Sequence, residues 1–303
     1  MTTGNPARLI LFFSVPLLIG NIFQQLYFMA DMAIVSRTIS LSAMAAVGAT
    51  GALTFLVFGF FFGLTNGFAV ITAQRFGAKD YDGVRRSVAV STLLGTAATG
   101  LGMLVSLPFI EQLLRLMNTP DDILADSVVY VAALCWGTAA TVFYNLLSCF
   151  IRALGDSWTP LLFLVIATFL NIGLDLLFII TFGMGIAGAA WATVLAQALS
   201  ALFCLLYIRR RFPLLCPRRE DWRFAWDHLR VALPMAFQFS ITAIGVLVMQ
   251  EEINRFGTVT IAAFTAGARI EQLAVQPMFT LGIAIATFAA QNYGARRLDR
   301  VRT

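Results

Sequence analysis

The sequence predicts an all-α membrane protein: a polytopic helical bundle with one complete six-helix lobe and the first two helices of a second, pseudo-symmetric lobe. Three observations lead there. The 303-residue chain is 59% hydrophobic and only 12% charged, with a mean hydropathy of +0.82, whereas a soluble chain carries roughly 25% charged residues. That much apolar surface cannot be hidden in one core, so the solvent must be lipid. Next, eight apolar stretches each reach the ~20 residues a helix needs to cross the hydrocarbon core. Finally, Gln74-Arg75-Phe76-Gly77-Ala78-Lys79 returns as Gln291-Asn292-Tyr293-Gly294-Ala295-Arg296 at an offset of 217. Pro16 and Pro234, and Ser36-Arg37 and Asn254-Arg255, repeat at 218. A fixed long period means two copies of one unit.

The expected spans are Leu9–Val35, Ser42–Ile71, Ser87–Ile110, Val128–Phe150, Pro160–Phe182, Ile186–Ile208, Leu229–Met249 and Thr260–Ala290. The second and last exceed the bilayer and should tilt or extend beyond it. The runs are continuous rather than alternating, which excludes a strand barrel. The first six spans form the N-terminal lobe, residues 1–212. An Arg- and Pro-rich inter-lobe loop follows at 213–228, and helices 7 and 8 occupy 229–303. Six is an even number, so the second unit re-enters with the same orientation and the repeat is parallel.

Charge sets the orientation. Arg8, Arg75, Lys79, Arg85, Arg86, Arg152, the arginines of 209–230 and those of 296–302 fall on one side. Only Arg37, Arg115 and Arg255 fall on the other. The positive-inside rule puts the N-terminus and both copies of the repeated motif in the cytoplasm. The net charge of +5 then reflects topology, and the scattered basic residues argue against nucleic acid as a partner. Gly59, Gly63 and Gly67 are spaced by four, a small-residue stripe for close helix packing.

The polar start runs into an apolar segment too long for a signal core, so that segment is expected to stay as a helix. Cys135, Cys149, Cys204 and Cys216 form no CxxC pair and read as free packing thiols. His228, the one histidine, lies in the basic loop and reads as a solvated surface residue. HExxH, a Ser–His pair and a paired-Asp motif are all missing, so the chain does not read as an enzyme.

An acid in hydrocarbon costs several kcal/mol and is by default functional. Asp31 and Asp175 are the two that lie well inside apolar segments. Helix 1 runs outward from Leu9 and puts Asp31 roughly 33 Å along; helix 5 puts Asp175 roughly 22 Å along, at a comparable height. Asn171 shares the face of Asp175, and Thr193 on the inward-running helix 6 falls at similar depth. Asp31, Asn171, Asp175 and Thr193 thus suit a proton or a sodium ion, with oxygen ligands for a hard cation. Plainer readings compete. Asp31 is interfacial if helix 1 ends near Met29, Asp175 is structural if it only bonds Asn171, and a threonine such as Thr193 often bonds its own helix backbone. Pro16 kinks helix 1, either as a moving part or as a static bend. Pro234 repeats the kink, but Met249 stands where Asp31 would recur. The acid chemistry therefore belongs to the first lobe.

These residues carry a resemblance. Ile151-Arg152-Ala153-Leu154-Gly155-Asp156, Thr159-Pro160, Asn171-Ile172-Gly173-Leu174-Asp175 and the run from Gly185 to Thr193 resemble the multidrug and toxic compound extrusion (MATE) transporters of the MOP superfamily. So do Gln24-Gln25 with Asp31 and both Gln-x-aromatic-Gly-Ala motifs. The resemblance covers essentially the whole chain. It implies two six-helix lobes around a central cavity, and a monomeric antiporter, embedded in membrane lipid, that exports amphipathic or cationic organic compounds in exchange for H⁺ or Na⁺, with no other cofactor. For the DinF-like branch it assigns the coupling ion to the positions of Asp31, Asn171, Asp175 and Thr193. The uncharged stretch from Gln238 to Gln250, where the NorM-like branch carries an acid, favours that branch. Twelve helices are expected of the family and eight are found, so the chain reads as cut short after the eighth. Phe and Met lining the cavity would give adaptable selectivity. The alternatives are a lipid-linked sugar flippase of the same superfamily, disfavoured because Arg269 is the one basic candidate inside the membrane, and an inactive truncated remnant.

Overall fold

A computed structural model describes residues 1–117, 119–215, 224–254 and 258–302. Its helices are α1 (Pro6–Thr38), α2 (Leu41–Ala49), α3 (Gly51–Gly77), α4 (Tyr81–Ser106), α5 (Ile110–Leu116) and α6 (Asp121–Trp136). They continue with α7 (Thr138–Ala153), α8 (Trp158–Leu176), α9 (Gly185–Arg211), α10 (Ala225–Asn254), α11 (Thr258–Gly294) and α12 (Leu298–Arg302). No strand occurs among the described residues. Seven spans are long and apolar enough to cross a bilayer, and the bent pair α6–α7 makes an eighth. The protein is an integral membrane protein of the expected helical class. Residues 216–223 of the basic loop, Cys216 among them, lie outside the described residues, as does the side chain of Arg269.

Local chemistry sets the helix ends. Asn5 caps α1 by accepting the Arg8 N–H at 3.4 Å, with Pro6 at the first position, where its missing donor costs nothing. Asp80 caps α4 through the Gly83 N–H at 2.9 Å. The span expected over Val128–Phe150 is in fact two helices bent by 48° about Gly137. A β-carbon there would lie 2.7 Å from Val194 Cγ1 of α9, so only glycine lets the two helices approach this closely.

The core has two main parts. Phe68, Val84, Leu146, Phe150 and Ile151 pack with Ala232 and Ala236 where α3, α4 and α7 meet α10. Val35, Ala46, Ile179, Ala189 and Ala190 join α1, α2, α6 and α9. Phe12, Leu104, Trp136, Phe169 and Ile241 stand exposed, as side chains facing lipid do. Cys135, Cys149 and Cys204 are buried free thiols.

The repeat is visible in the backbone. Both copies end in the same cap. Lys79 and Arg296 sit at φ 59° and 57°, with Lys79 N–H bonding Phe76 O and Asp80 N–H bonding Arg75 O at 3.0 Å. In the second copy Arg296 N–H bonds Tyr293 O at 3.0 Å and Arg297 N–H bonds Asn292 O at 2.9 Å. This is the Schellman pattern, with a basic residue at the left-handed position that usually takes glycine. The copies also meet reciprocally. A β-carbon on Gly77 would overlap the Gln291 carbonyl, and one on Gly294 the Gln74 carbonyl. That is the contact of a two-fold related pair.

The glycine stripe joins α3 to α10. A β-carbon on Gly63 would lie 2.7 Å from Ala236 Cα, and one on Gly67 2.8 Å from Ala232 Cβ, so the backbones touch without side chains between them. His228 corrects the sequence reading. It is fully buried, because α10 starts at Ala225, ahead of the apolar run, and puts His228 on its first turn. Its Nε2 lies 2.8 Å from Ser87 Oγ, its Nδ1 2.7 Å from Phe224 O, and Ser87 bonds Thr72 at 2.9 Å. A carbonyl can only accept, so Nδ1 carries a proton. The neutral ring then accepts from Ser87. A Ser–His pair, missed in the sequence, thus ties α4 to α10, with both residues shut away from solvent.

Gly67→Leu is expected to destabilise the fold by at least the ~1–3 kcal/mol of an overpacked core site. Gly100→Ala, with nothing within 4 Å of the added carbon, should be neutral. Thermal melting of the two purified variants checks the contrast.

Candidate functional site

Tyr27 and Asp31 are four residues apart on α1, and Asn171 and Asp175 four apart on α8, so each pair shares a helix face. Packing of α1 on α8, and of α8 on α9, turns both faces and Thr193 towards one pocket. Asp31 is 3% exposed, and Asn171 and Asp175 are fully buried. The packing of α1 on α8 brings the two carboxyl groups close to each other. With its amide oriented to satisfy both ends, Asn171 donates from Nδ2 to Asp175 Oδ2 at 2.9 Å. Its Oδ1 accepts the Thr193 N–H at 3.2 Å. Thr193 Oγ1 shares a hydrogen bond of 2.9 Å with Tyr27 Oη. Tyr130 of α6 is buried in the core cluster that holds Val35 of α1 and Ala189 of α9.

All four expected site residues therefore come together. Asp31 is not at a helix end, because α1 continues to Thr38. Asp175 does bond Asn171, but through one oxygen only. The other oxygen, Asp175 Oδ1, and Asp31 Oδ1 are buried with no partner. No ion pair among the described residues reaches either acid. Directly after Asp175 the chain winds into a single π-helical turn, Leu177–Thr181, with Phe182 N–H bonding Leu177 O at 3.1 Å. Such turns recur at functional sites. Pro16 is buried in α1, on the N-terminal side of the acid.

Sequence reasoning missed Tyr27 and Gln197. Gln197, one turn along α9 from Thr193, has a buried Oε1 without a partner. The helical spacing of four from Asp31 and from Thr193 was the available signal for Tyr27 and Gln197.

Chemically this is a set of oxygen donors around two acids that, among the described residues, lack a cationic partner. Burying two negative charges side by side is strongly unfavourable unless something positive lies between them. A proton or a small hard cation fits the donor set of carboxylate, amide and hydroxyl oxygens.

Comparison with known proteins adds a second line. The family model described as MatE matches residues 16–177 and 233–303. Among curated proteins, "Probable multidrug resistance protein YpnP" of Bacillus subtilis (strain 168) is 30% identical over 303 residues, covering 99% of this chain and 68% of that protein. Among solved structures, an outward-facing multidrug resistance MATE family transporter of the MOP superfamily superposes with a TM-score of 0.90 at 27% identity, covering 99% of this chain and 67% of that one. MATE structures in a bent and in a straight conformation each give 0.89 at 27% identity, covering 99% and 68%. The chain spans about two thirds of the length of the relatives it matches.

Asn171→Leu would leave Asp175 Oδ2 buried without a donor. It is expected to lower stability by ~1–3 kcal/mol, the cost of an unsatisfied buried acceptor. Tyr27→Phe should cost less, since Thr193 Oγ1 can turn back to its own helix. Melting of the two variants in parallel reads the order.

Proposed function

The chain belongs to the MatE family, and from that premise we propose that the protein it represents exports amphipathic or cationic organic compounds in exchange for inward H⁺ or Na⁺. One observation carries the reading: the buried Asp31–Asp175 pair, each acid with an unpartnered oxygen and, among the described residues, neither with a cationic partner. The likeness to a multidrug resistance protein and to MATE transporters supports the substrate class. The flippase alternative is not favoured by these relatives.

In this reading Asp31 and Asp175 hold the coupling ion, Asn171 and Thr193 position it, and Tyr27 fixes Thr193. Asp31 lies on α1 and Asp175 on α8, so the ion bridges two helices. Loading or emptying the site changes what holds α1 against α8. Pro16 lacks the N–H that would bond one turn back, so α1 bends there most readily. A helix that bends when its acid gains or loses a cation converts ion binding into movement. The membrane is the bacterial cytoplasmic membrane, with the N-terminus inside, as the basic loops require.

In the full-length protein, Asp31→Asn is expected to abolish ion-driven efflux and drug resistance while leaving expression intact. Efflux of a fluorescent cationic dye from energised cells measures this, and retention of full efflux by the variant would sink the assignment. Whichever ion the pair holds should also stabilise the protein on binding. Melting against Na⁺ concentration at fixed pH, and against pH without Na⁺, tells the two ions apart.

A further inference from the structure

Helix α1 has two working faces. Gly20, Tyr27 and Asp31 form one stripe, at spacings of seven and four. It lies on the first lobe's own helices: a β-carbon on Gly20 would meet Leu164 Cδ2 at 3.5 Å, and Tyr27 bonds Thr193. Phe13, Leu17 and Asn21, each four apart, form the other, which faces α11 of the second copy. Phe13 and Leu17 pack on Ala284, and Asn21 Nδ2 donates to Thr280 Oγ1 at 3.0 Å. The Thr280 hydroxyl donates to Gln276 O at 2.8 Å, which leaves its lone pairs free for Asn21. Thr280 is 1% exposed.

The repeat makes this contact one of a matched pair. Under the offset of 217, Thr280 corresponds to Gly63 and Ala284 to Gly67; under 218, Ala232 and Ala236 correspond to Ser14 and Leu18. The α1–α11 junction is therefore the pseudo-symmetric mate of the α3–α10 junction, yet the two are built differently. At α3–α10 glycine lets the backbones touch, and nothing separable lies between them. At α1–α11 side chains lie between the helices: Phe13 and Leu17 pack on Ala284, and among the described residues the Asn21–Thr280 bond is the side-chain hydrogen bond that joins them. A backbone-tight contact resists sliding, whereas one hydrogen bond breaks and reforms readily.

We propose that Asn21 and Thr280 are positioning residues of the transport cycle: their hydrogen bond carries the state of Asp31 across to the second lobe, while the glycine-packed α3–α10 junction is the fixed pivot. This rests on the ion-coupled reading given above. Asn21 lies between Pro16 and Asp31, in the segment that a bend at Pro16 moves. When the acid pair changes its ion, α1 shifts, the Asn21–Thr280 bond opens, and α11 is released to swing about α3–α10. Neither residue touches the ion.

The test uses the full-length protein with Thr280→Val, which keeps the shape and removes the acceptor, and Thr280→Ser, which restores it. Two quantities are read in proteoliposomes: ion-driven export of a cationic dye, and ions moved per dye molecule. Ion-dependent melting reports the Asp31 site separately. Thr280→Val is expected to export about fivefold more slowly, the population shift of one net hydrogen bond, with a raised ion-to-dye ratio and an unchanged ion response in melting. Thr280→Ser should restore both. Asn21→Leu, which removes the donor, must give the same phenotype, and the double variant should be no worse than either single. Wild-type rate and ratio in Thr280→Val, or single effects that multiply in the double, would overturn the proposal. A wild-type protein with no ion response in melting and no ion-driven export would instead overturn the ion-coupled reading itself.

Discussion

Two carboxyl groups held face to face in hydrocarbon must have something positive between them, and the rest of the architecture follows from that constraint. Asp31 and Asp175 are on different helices, so their repulsion or bridging acts directly on the contact between α1 and α8. Asn171 satisfies one oxygen of the pair, Thr193 and Tyr27 close the side, and the two oxygens left over face no cationic side chain among the described residues. A structural ion pair would have brought its own arginine or lysine. The missing partner is what separates a site that exchanges an ion from one that simply holds a helix in place.

In the proposed cycle the parallel repeat would turn that local event into a relative movement of two units. The copies meet at the ends of α3 and α11 through reciprocal glycine–carbonyl contacts, Gly77 on Gln291 and Gly294 on Gln74, which set the pseudo-two-fold axis. About that axis the two inter-lobe junctions are matched in place but not in chemistry. One is bare backbone on backbone, and the other is spanned by Asn21 and Thr280. Symmetry supplies the frame, and the breaking of symmetry at a few residues supplies direction. Asp31 itself is an example, since Met249 stands at the corresponding place.

Much of this was legible in the sequence, for physical reasons that can be named. Long uninterrupted apolar runs have one solution in lipid, so the helices were readable. The bend at Gly137 was not, because its cause is Val194 on another helix. The four site residues were readable because a carboxylate in hydrocarbon is conspicuous and helical rise turns residue number into depth. Tyr27 looks like an ordinary residue of an apolar helix until the fold bonds it to Thr193. His228 was misread as a surface residue because the apolar run starts after it, whereas the helix begins at Ala225 and buries it against Ser87. The glycine stripe was correctly read as packing, but its partner, α10, could be known only from the fold.

The most direct test of the central claim is to count the ion. Binding of ²²Na⁺, or proton uptake in unbuffered detergent solution, would be measured on the purified full-length protein and on Asp175→Asn. One ion bound per protein, lost in the variant with the fold intact, is the predicted result. The same stoichiometry in both, or no ion taken up by the unaltered protein, would contradict it.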